Sequence, residues 1–87
     1  SNESATALAL VRDALGKYTD IPLEQIRLDT KLADIQIDSL TLAELLFELE
    51  DRLAVRMPEP AAMPQVVADL IAMVSPYLPG SSLKNAA

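Results

Sequence analysis

Three stretches of the chain, at residues 3–17, 41–53 and 64–78, repeat apolar residues at the spacing of an α-helix. In each stretch the apolar residues lie on one face, and polar residues occupy the rest of the surface. The pattern predicts three amphipathic helices that pack through their apolar faces. Those faces consist of Leu8, Val11, Leu15 and Tyr18 in the first helix, Leu42, Leu45, Leu46, Leu49 and Leu53 in the second, and Val67, Leu70, Ile71, Val74 and Leu78 in the third.

The ends of these helices are indicated by residues that favour caps and breaks. Ser4 is a candidate N-cap of the first helix, and Asp38 or Ser39 is a candidate N-cap of the second. Pro64 suits the first position of the last helix, and the Pro-Gly pair at residues 79–80 ends it.

Residues 19–38 show no sustained period, although apolar residues recur throughout them. Pro22 can open a short turn at residues 22–26, and residues 29–30 can cap a second turn at residues 31–34. We therefore expect a long first loop that is held against the core by its side chains. Its apolar residues are Ile21, Leu23, Ile26, Leu28, Leu32, Ile35 and Ile37.

The chain after the second helix is rich in proline. Pro58 and Pro60 push the residues before them out of the helical conformation, so the second helix ends there. Residues 60–63 have room for one short helix before Pro64. No segment alternates apolar and polar residues as a half-buried strand does. The predicted fold class is all-α: a helical bundle with a long first loop and a short third helix.

Composition excludes most catalytic chemistry. The 87 residues include no Cys and no His, which removes thiol nucleophiles, the commonest general base and the commonest metal ligand. An enzyme would have to depend on carboxylates such as those of Asp38 and Glu44, and nothing in the sequence positions a substrate beside them. We therefore expect neither intrinsic catalysis nor a metal site.

The net charge and the lengths of the apolar runs limit the kinds of partner and the location that we expect. Thirteen acidic and seven basic residues give a net charge of −6, which disfavours nucleic acids and anionic membranes and suits basic protein surfaces. No apolar run is long enough to span a bilayer, and no secretory signal opens the chain. We expect a cytoplasmic monomer with one small domain at residues 4–79. Residues 1–3 are expected to be a tag remnant, and residues 80–87 a flexible tail.

The second predicted helix carries another group of residues opposite its leucines. Phe47, the only phenylalanine, lies there among carboxylates, two turns beyond Leu40. An apolar side chain ringed by acids is typical of a small interface, so we predict a docking face for a basic partner. Two simpler alternatives are ordinary exposure of single apolar residues and burial of Leu40 under the first loop. The group comprises Leu40, Ala43, Glu44, Phe47, Glu48 and Asp51.

Ser39 has two interpretations at the start of this helix. A serine in that place is most often an N-cap. Alternatively it carries an attached group, because the positive end of a helix favours a phosphodiester. The neighbouring Asp38 could then help a modifying enzyme hold a divalent cation.

The sequence Asp38-Ser39-Leu40, followed by Glu44-Leu45 and by the Leu-Glu-Asp-Arg-Leu run at residues 49–53, resembles the acyl carrier protein family. The resemblance extends over residues 5–78 and includes the long first loop and the proline-rich passage into the last helix. It implies a four-helix bundle with 4′-phosphopantetheine, derived from coenzyme A, attached to Ser39 by a phosphopantetheinyl transferase. Asp38 and Leu40 would flank the attachment point.

The resemblance also implies how such a chain works. The thiol of the arm would hold an acyl or aminoacyl group as a thioester, supplied by a loading ligase or synthase. The chain would present that group to downstream enzymes that have basic docking patches. The alternative function is a carrier-like interaction module that docks through its second helix without an arm.

Four single residues and one segment depart from the family pattern. Gln36 stands where the family has glycine, and Thr41 stands where an acidic residue is common. Arg52 and Arg56 occupy positions that are acidic in carriers of fatty acid synthesis, and residues 58–63 contain one carboxylate. These departures indicate a specialised, free-standing carrier with its own set of partners.

Overall fold

The computed structural model describes residues 2–78 of the chain, and the side chains of residues 5–78. No strand forms within this part, which confirms the all-α fold class. The α-helices are α1, Asn2–Leu15, α2, Ser39–Leu53, and α3, Val67–Val74. Short 3₁₀ turns lie at Leu23–Gln25, Leu32–Ile35 and Ser75–Tyr77.

Helix α1 packs against both α2 and α3, and the apolar faces predicted from the sequence meet between them. Leu42, Leu45 and Leu49 of α2 are buried, while Leu46 and Leu53 lie at the edge of the core. The core is aliphatic because the chain has few aromatic residues. Its buried members are Ala7, Val11, Ala14, Leu15, Ile26, Leu32, Ile35, Ile37, Leu42, Leu45, Leu49, Val67, Leu70, Ile71, Val74 and Leu78.

The long first loop is held against this core, as predicted. Ile26 is fully buried, and its carbonyl oxygen accepts hydrogen bonds from Nε and Nη2 of Arg12 at 2.9 and 2.6 Å. A charged donor on α1 therefore satisfies a backbone acceptor of the loop. Leu23 and Leu28 are exceptions, because both are exposed.

Both predicted turns of the first loop form, but their caps differ from the prediction. Pro22 is the N-cap residue of the first turn and not its first helical residue. Lys31 precedes the second turn, so the predicted cap at residues 29–30 is wrong. The hydroxyl of Thr30 instead accepts a hydrogen bond from the N–H of Arg27 at 2.8 Å. This bond closes a turn over residues 27–30, before the second 3₁₀ turn.

Helix α3 begins at Val67, so the prediction that Pro64 is its first residue is wrong. The first loop pairs with the chain before α3: the N–H of Leu32 donates to the Gln65 carbonyl at 2.9 Å, and the N–H of Val67 donates to the Thr30 carbonyl at 3.0 Å. This pairing holds Val66 in an extended conformation, with φ −127° and ψ 165°, so the helix starts after it.

The predicted short third helix is not confirmed. The chain is irregular throughout residues 55–65, so the described part has three α-helices rather than four. Pro58, Pro60 and Pro64 disfavour the helical conformation in the residue before each of them. Too few consecutive residues are then left for a helical turn.

The remaining ends also differ from the prediction. Ser4 lies within α1, so it is not the N-cap of that helix. Helix α3 stops at Val74 and continues as a 3₁₀ turn that contains Pro76. The predicted stop at residues 79–80 and tail at residues 80–87 lie outside the described residues. Within residues 2–78, no helix combines the length and apolar character that crossing a membrane requires.

Candidate functional site

Asp38, and not Ser39, caps α2. Its Oδ1 accepts a hydrogen bond from the N–H of Thr41 at 2.8 Å, and Ser39 is the first helical residue. That hydrogen bond lowers the pKa of the Asp38 carboxyl below its ordinary value, because it stabilises the ionised form. The exposed Ser39 hydroxyl makes no hydrogen bond within the described part of the chain, so it is available for chemistry.

The backbone on both sides of Ser39 is anchored in the core. On the preceding side Ile37 is 5% exposed, and its N–H donates to the Leu32 carbonyl at 3.0 Å. On the following side Leu42 is buried, and its N–H donates to the Asp38 carbonyl at 2.8 Å. Ser39 is therefore a surface residue on firmly held backbone.

The residues proposed as a docking face lie together on the outer side of α2. Leu40 is 71% exposed, so the first loop does not cover it, and Phe47 is 68% exposed. Ala43, Glu44 and Asp51 are exposed on the same helix. The exposed apolar area begins next to Ser39 and extends along two turns of α2.

Glu48 differs from its neighbours, because its carboxylate is paired within the protein. Oε2 of Glu48 accepts from Nζ of Lys17 at 3.1 Å and from Nε of Arg52 at 2.7 Å. Arg52 also pairs with Asp13 through Nη1. The hydrogen bond from Arg52, followed by that from Lys17, lowers the pKa of the Glu48 carboxyl below its ordinary value. This network joins α1 to α2 and turns Glu48 toward α1.

A shallow groove of about 320 Å³ lies between α2 and the proline-rich segment that follows it. Ala43 and Phe47 form one side, and Met57 and Pro58 form the other. The groove is positioned by Glu50, whose Oε2 accepts the N–H of Met57 at 2.7 Å. Sequence reasoning missed it, because a short helix was predicted for part of this segment. The groove is also lined by Leu46, Glu50, Arg56, Glu59, Pro60 and Met73.

Gln36 is a second feature that the sequence did not identify as functional. Its backbone is left-handed, with φ 70° and ψ 20°, and its side chain bonds to the turn after α1. The departure from glycine at this position was the available signal.

Comparison with known families identifies the family of the chain. The family described as "phosphopantetheine attachment site" matches residues 9–74, more than half of the 87-residue chain. The chain therefore belongs to this family, which confirms its resemblance to acyl carrier proteins. Searches of curated proteins and of solved structures returned no match.

Family membership implies a covalently attached 4′-phosphopantetheine and a carrier role. Domains of this family are non-catalytic, and they generally work with phosphopantetheinyl transferases and biosynthetic enzymes. The residues present fit the group: an exposed serine hydroxyl stands at the positive end of a 15-residue helix, where a phosphodiester is stabilised.

Proposed function

We propose that the chain carries its 4′-phosphopantetheine on Ser39 and presents an acyl group to partner enzymes. The arm supplies the terminal thiol that holds the group as a thioester. The observation that carries the proposal is the Ser39 hydroxyl, which is exposed, unbonded and fixed at the start of α2 because Asp38 performs the capping.

The residues beside Ser39 have separate roles in this proposal. Asp38 fixes the first turn of α2, and its ionised carboxylate is free on one side to contribute one ligand to a divalent cation brought by the transferase. Leu40 offers an exposed apolar contact next to the attachment point. The positive end of α2 stabilises the phosphodiester.

An acyl cargo is favoured over an aminoacyl cargo by the groove beside α2. Leu46, Met57 and Met73 contribute apolar side chains to it, and Ala43, at its near end, lies four residues beyond Ser39. An aliphatic chain gains from such a surface, whereas a charged amino group loses hydration there. The small core leaves room only for a short chain.

The docking face proposed for partner enzymes consists of Leu40, Ala43, Glu44, Phe47 and Asp51, with Glu48 at its edge. Within the described residues Glu44 and Asp51 make no ion pair, so their charges are available to a basic patch. Glu48 shares its charge with Lys17 and Arg52, so it attracts a partner less strongly. The partner patch is therefore expected to concentrate its positive charge opposite Glu44 and Asp51.

Modification in solution tests the attachment site. The purified protein, incubated with coenzyme A and a broad-specificity phosphopantetheinyl transferase, is expected to gain the mass of one arm. Ser39→Ala should abolish the gain. Because Asp38 provides the cap, the variant should keep its free energy of unfolding within about 0.5 kcal/mol of the wild type.

Ser75→Ala is the matched control for this experiment. In the wild type the Ser75 hydroxyl donates to the Ile71 carbonyl at 2.7 Å, which is a structural role. The variant should therefore still accept one arm. A wild-type protein that stays unmodified would contradict the proposal. It would favour the interaction module that docks through Phe47 without an arm.

A further inference from the structure

Gln36 adopts a backbone conformation that its side chain does not favour. With φ 70° it is one of two described residues other than glycine that have a positive φ, the other being Ala54. A Cβ atom is unfavourable in the left-handed region, which glycine occupies without steric cost. The presence of glutamine here indicates that its side chain makes contacts that glycine cannot make.

The side chain of Gln36 joins the last part of the first loop to its first residues, which follow α1. Its Oε1 accepts the hydroxyl of Thr19 at 3.3 Å and the N–H of Asp20 at 3.2 Å. Thr19 is 8% exposed, and its hydroxyl oxygen also accepts the N–H of Ile21 at 3.2 Å. One amide oxygen thus ties together two segments that are separated by 17 residues in the chain.

This link lies immediately before the proposed attachment site. Gln36 is three residues before Ser39, and the residues between them are the buried Ile37 and the cap residue Asp38. Asp38 fixes Ser39 relative to α2, whereas Gln36 fixes the preceding backbone relative to the start of the first loop. The two contacts hold the serine from opposite sides.

We propose that Gln36 is a positioning residue, which holds the backbone before Ser39 against the start of the first loop so that the modifying enzyme meets the serine in one fixed place. The inference rests on the proposed function, because it assumes modification at Ser39. It concerns a contact that glycine at this position cannot make.

Three substitutions of Gln36 separate its contributions. Gln36→Met keeps the length of the side chain and removes the acceptor. Gln36→Gly removes both the acceptor and the steric cost of a Cβ atom in the left-handed conformation. Gln36→Glu keeps an oxygen acceptor in the same place. Gln25→Met is the matched control, because Gln25 is an exposed loop residue whose side chain makes no hydrogen bond in the described structure.

Amide hydrogen exchange tests the contact itself. In the wild type the N–H of Asp20 is bonded to Gln36 and should be protected. We expect Gln36→Met and Gln36→Gly to speed its exchange by about tenfold, and to speed exchange at Ile37 by less. Gln36→Glu and Gln25→Met should leave both rates near those of the wild type. Circular dichroism checks that each variant remains folded.

The rate of modification tests the positioning role. With coenzyme A and a broad-specificity transferase, kcat/KM is expected to fall about three- to tenfold in Gln36→Met and Gln36→Gly, chiefly through KM, because binding must first select the correct loop conformation. Gln36→Glu should restore most of the rate. Equal rates in the wild type and both acceptor-less variants, or an equal fall in Gln25→Met, would overturn the positioning role.

The two proposals fail in different ways. A wild-type protein that gains no arm contradicts the proposed function and the positioning role with it, while exchange at Asp20 still reports on the contact. A wild type that is modified at the same rate as Gln36→Met contradicts the positioning role alone.

Discussion

Asp38 and Ser39 are adjacent, but the structure gives them different tasks. The Asp38 carboxylate accepts the N–H of Thr41, so the serine does not have to satisfy the first turn of α2. This division of tasks leaves the hydroxyl exposed without loss of helix stability. The Asp-Ser pair is therefore a structural unit, in which one residue supports the other.

Replacing Asp38 should separate these tasks. Asp38→Ala removes the cap and should lower the urea midpoint of unfolding, whereas Asp38→Ser, which restores a capping oxygen, should recover most of it. Urea denaturation followed by circular dichroism measures both. Asp38→Ala with an unchanged midpoint would show that the hydrogen bond to Thr41 contributes nothing to stability.

At the scale of helices, α2 ends in a way that its sequence does not favour. The N–H of Val55 donates to the Glu50 carbonyl at 3.1 Å, and the N–H of Ala54 donates to the Asp51 carbonyl at 3.3 Å, which together form a Schellman motif. The motif requires a left-handed residue, and Ala54 supplies it with φ 56°. Glycine is the usual residue at such a position.

Ala54→Gly should therefore stabilise the protein. Removing the Cβ relieves the left-handed conformation, which outweighs the added freedom of the unfolded chain, and the net gain should be about 0.5–1 kcal/mol in free energy of unfolding. Ala61→Gly is the control, because Ala61 is exposed and does not have a positive φ, and it should give no gain. A less stable Ala54→Gly variant would mean that the packing contacts of the Ala54 Cβ contribute more to the free energy of unfolding than relief of the left-handed conformation does.

The ion pairs between α1 and α2 make stability depend on pH. The folded-state pKa of Glu48 lies below its ordinary value of 4.5, chiefly because of the hydrogen bond from Arg52. The unfolded chain therefore takes up a proton first as the pH falls. The stabilisation is fully present above pH 4.5 and is lost as the pH falls through the folded-state pKa.

Glu48→Gln should remove this contribution. The variant should be less stable than the wild type near neutral pH, and its stability should fall less steeply as the pH drops below 4.5. Glu44→Gln is the control, because Glu44 is on the same helix and makes no ion pair in the described residues. Urea titrations across this range measure the slopes, and parallel curves for Glu48→Gln and the wild type would contradict the role of the network.

For the molecule as a whole, the proposed docking face extends along α2 from the proposed attachment site. Phe47 is its largest apolar side chain, and a side chain so exposed contributes little to the core. Phe47→Ala should therefore leave stability nearly unchanged and weaken partner binding, with a rise of about tenfold in the KM of the transferase for the protein. Leu28→Ala, at an exposed apolar residue of the first loop, is the control. Equal KM values for the two variants would remove Phe47 from the interface.

The parts of the fold that depend on local periodicity could be predicted, and those that depend on tertiary pairing could not. The leucine face of α2 follows from spacing alone, and Leu42, Leu45 and Leu49 are buried as expected. The start of α3 could not be predicted, because it is set by backbone pairing between Lys31 and Val66, which are distant in sequence.

The candidate site also has a part that could be predicted from local sequence and a part that depends on tertiary contacts. The proposed attachment serine is marked by its motif, whereas the groove and the Gln36 contact arise only when separate segments meet. The groove depends on how residues 57–60 lie against α2 and Met73. The Gln36 contact depends on Thr19 and Asp20, which belong to the other end of the long loop.

Mass spectrometry of the protein isolated from its native host, with thioesters preserved, tests the central claim most directly. We predict one 4′-phosphopantetheine that fragmentation localises to Ser39, with a short acyl group on its thiol. An arm localised to any other residue, or protein recovered wholly without an arm from a host that modifies its carriers, would contradict the account.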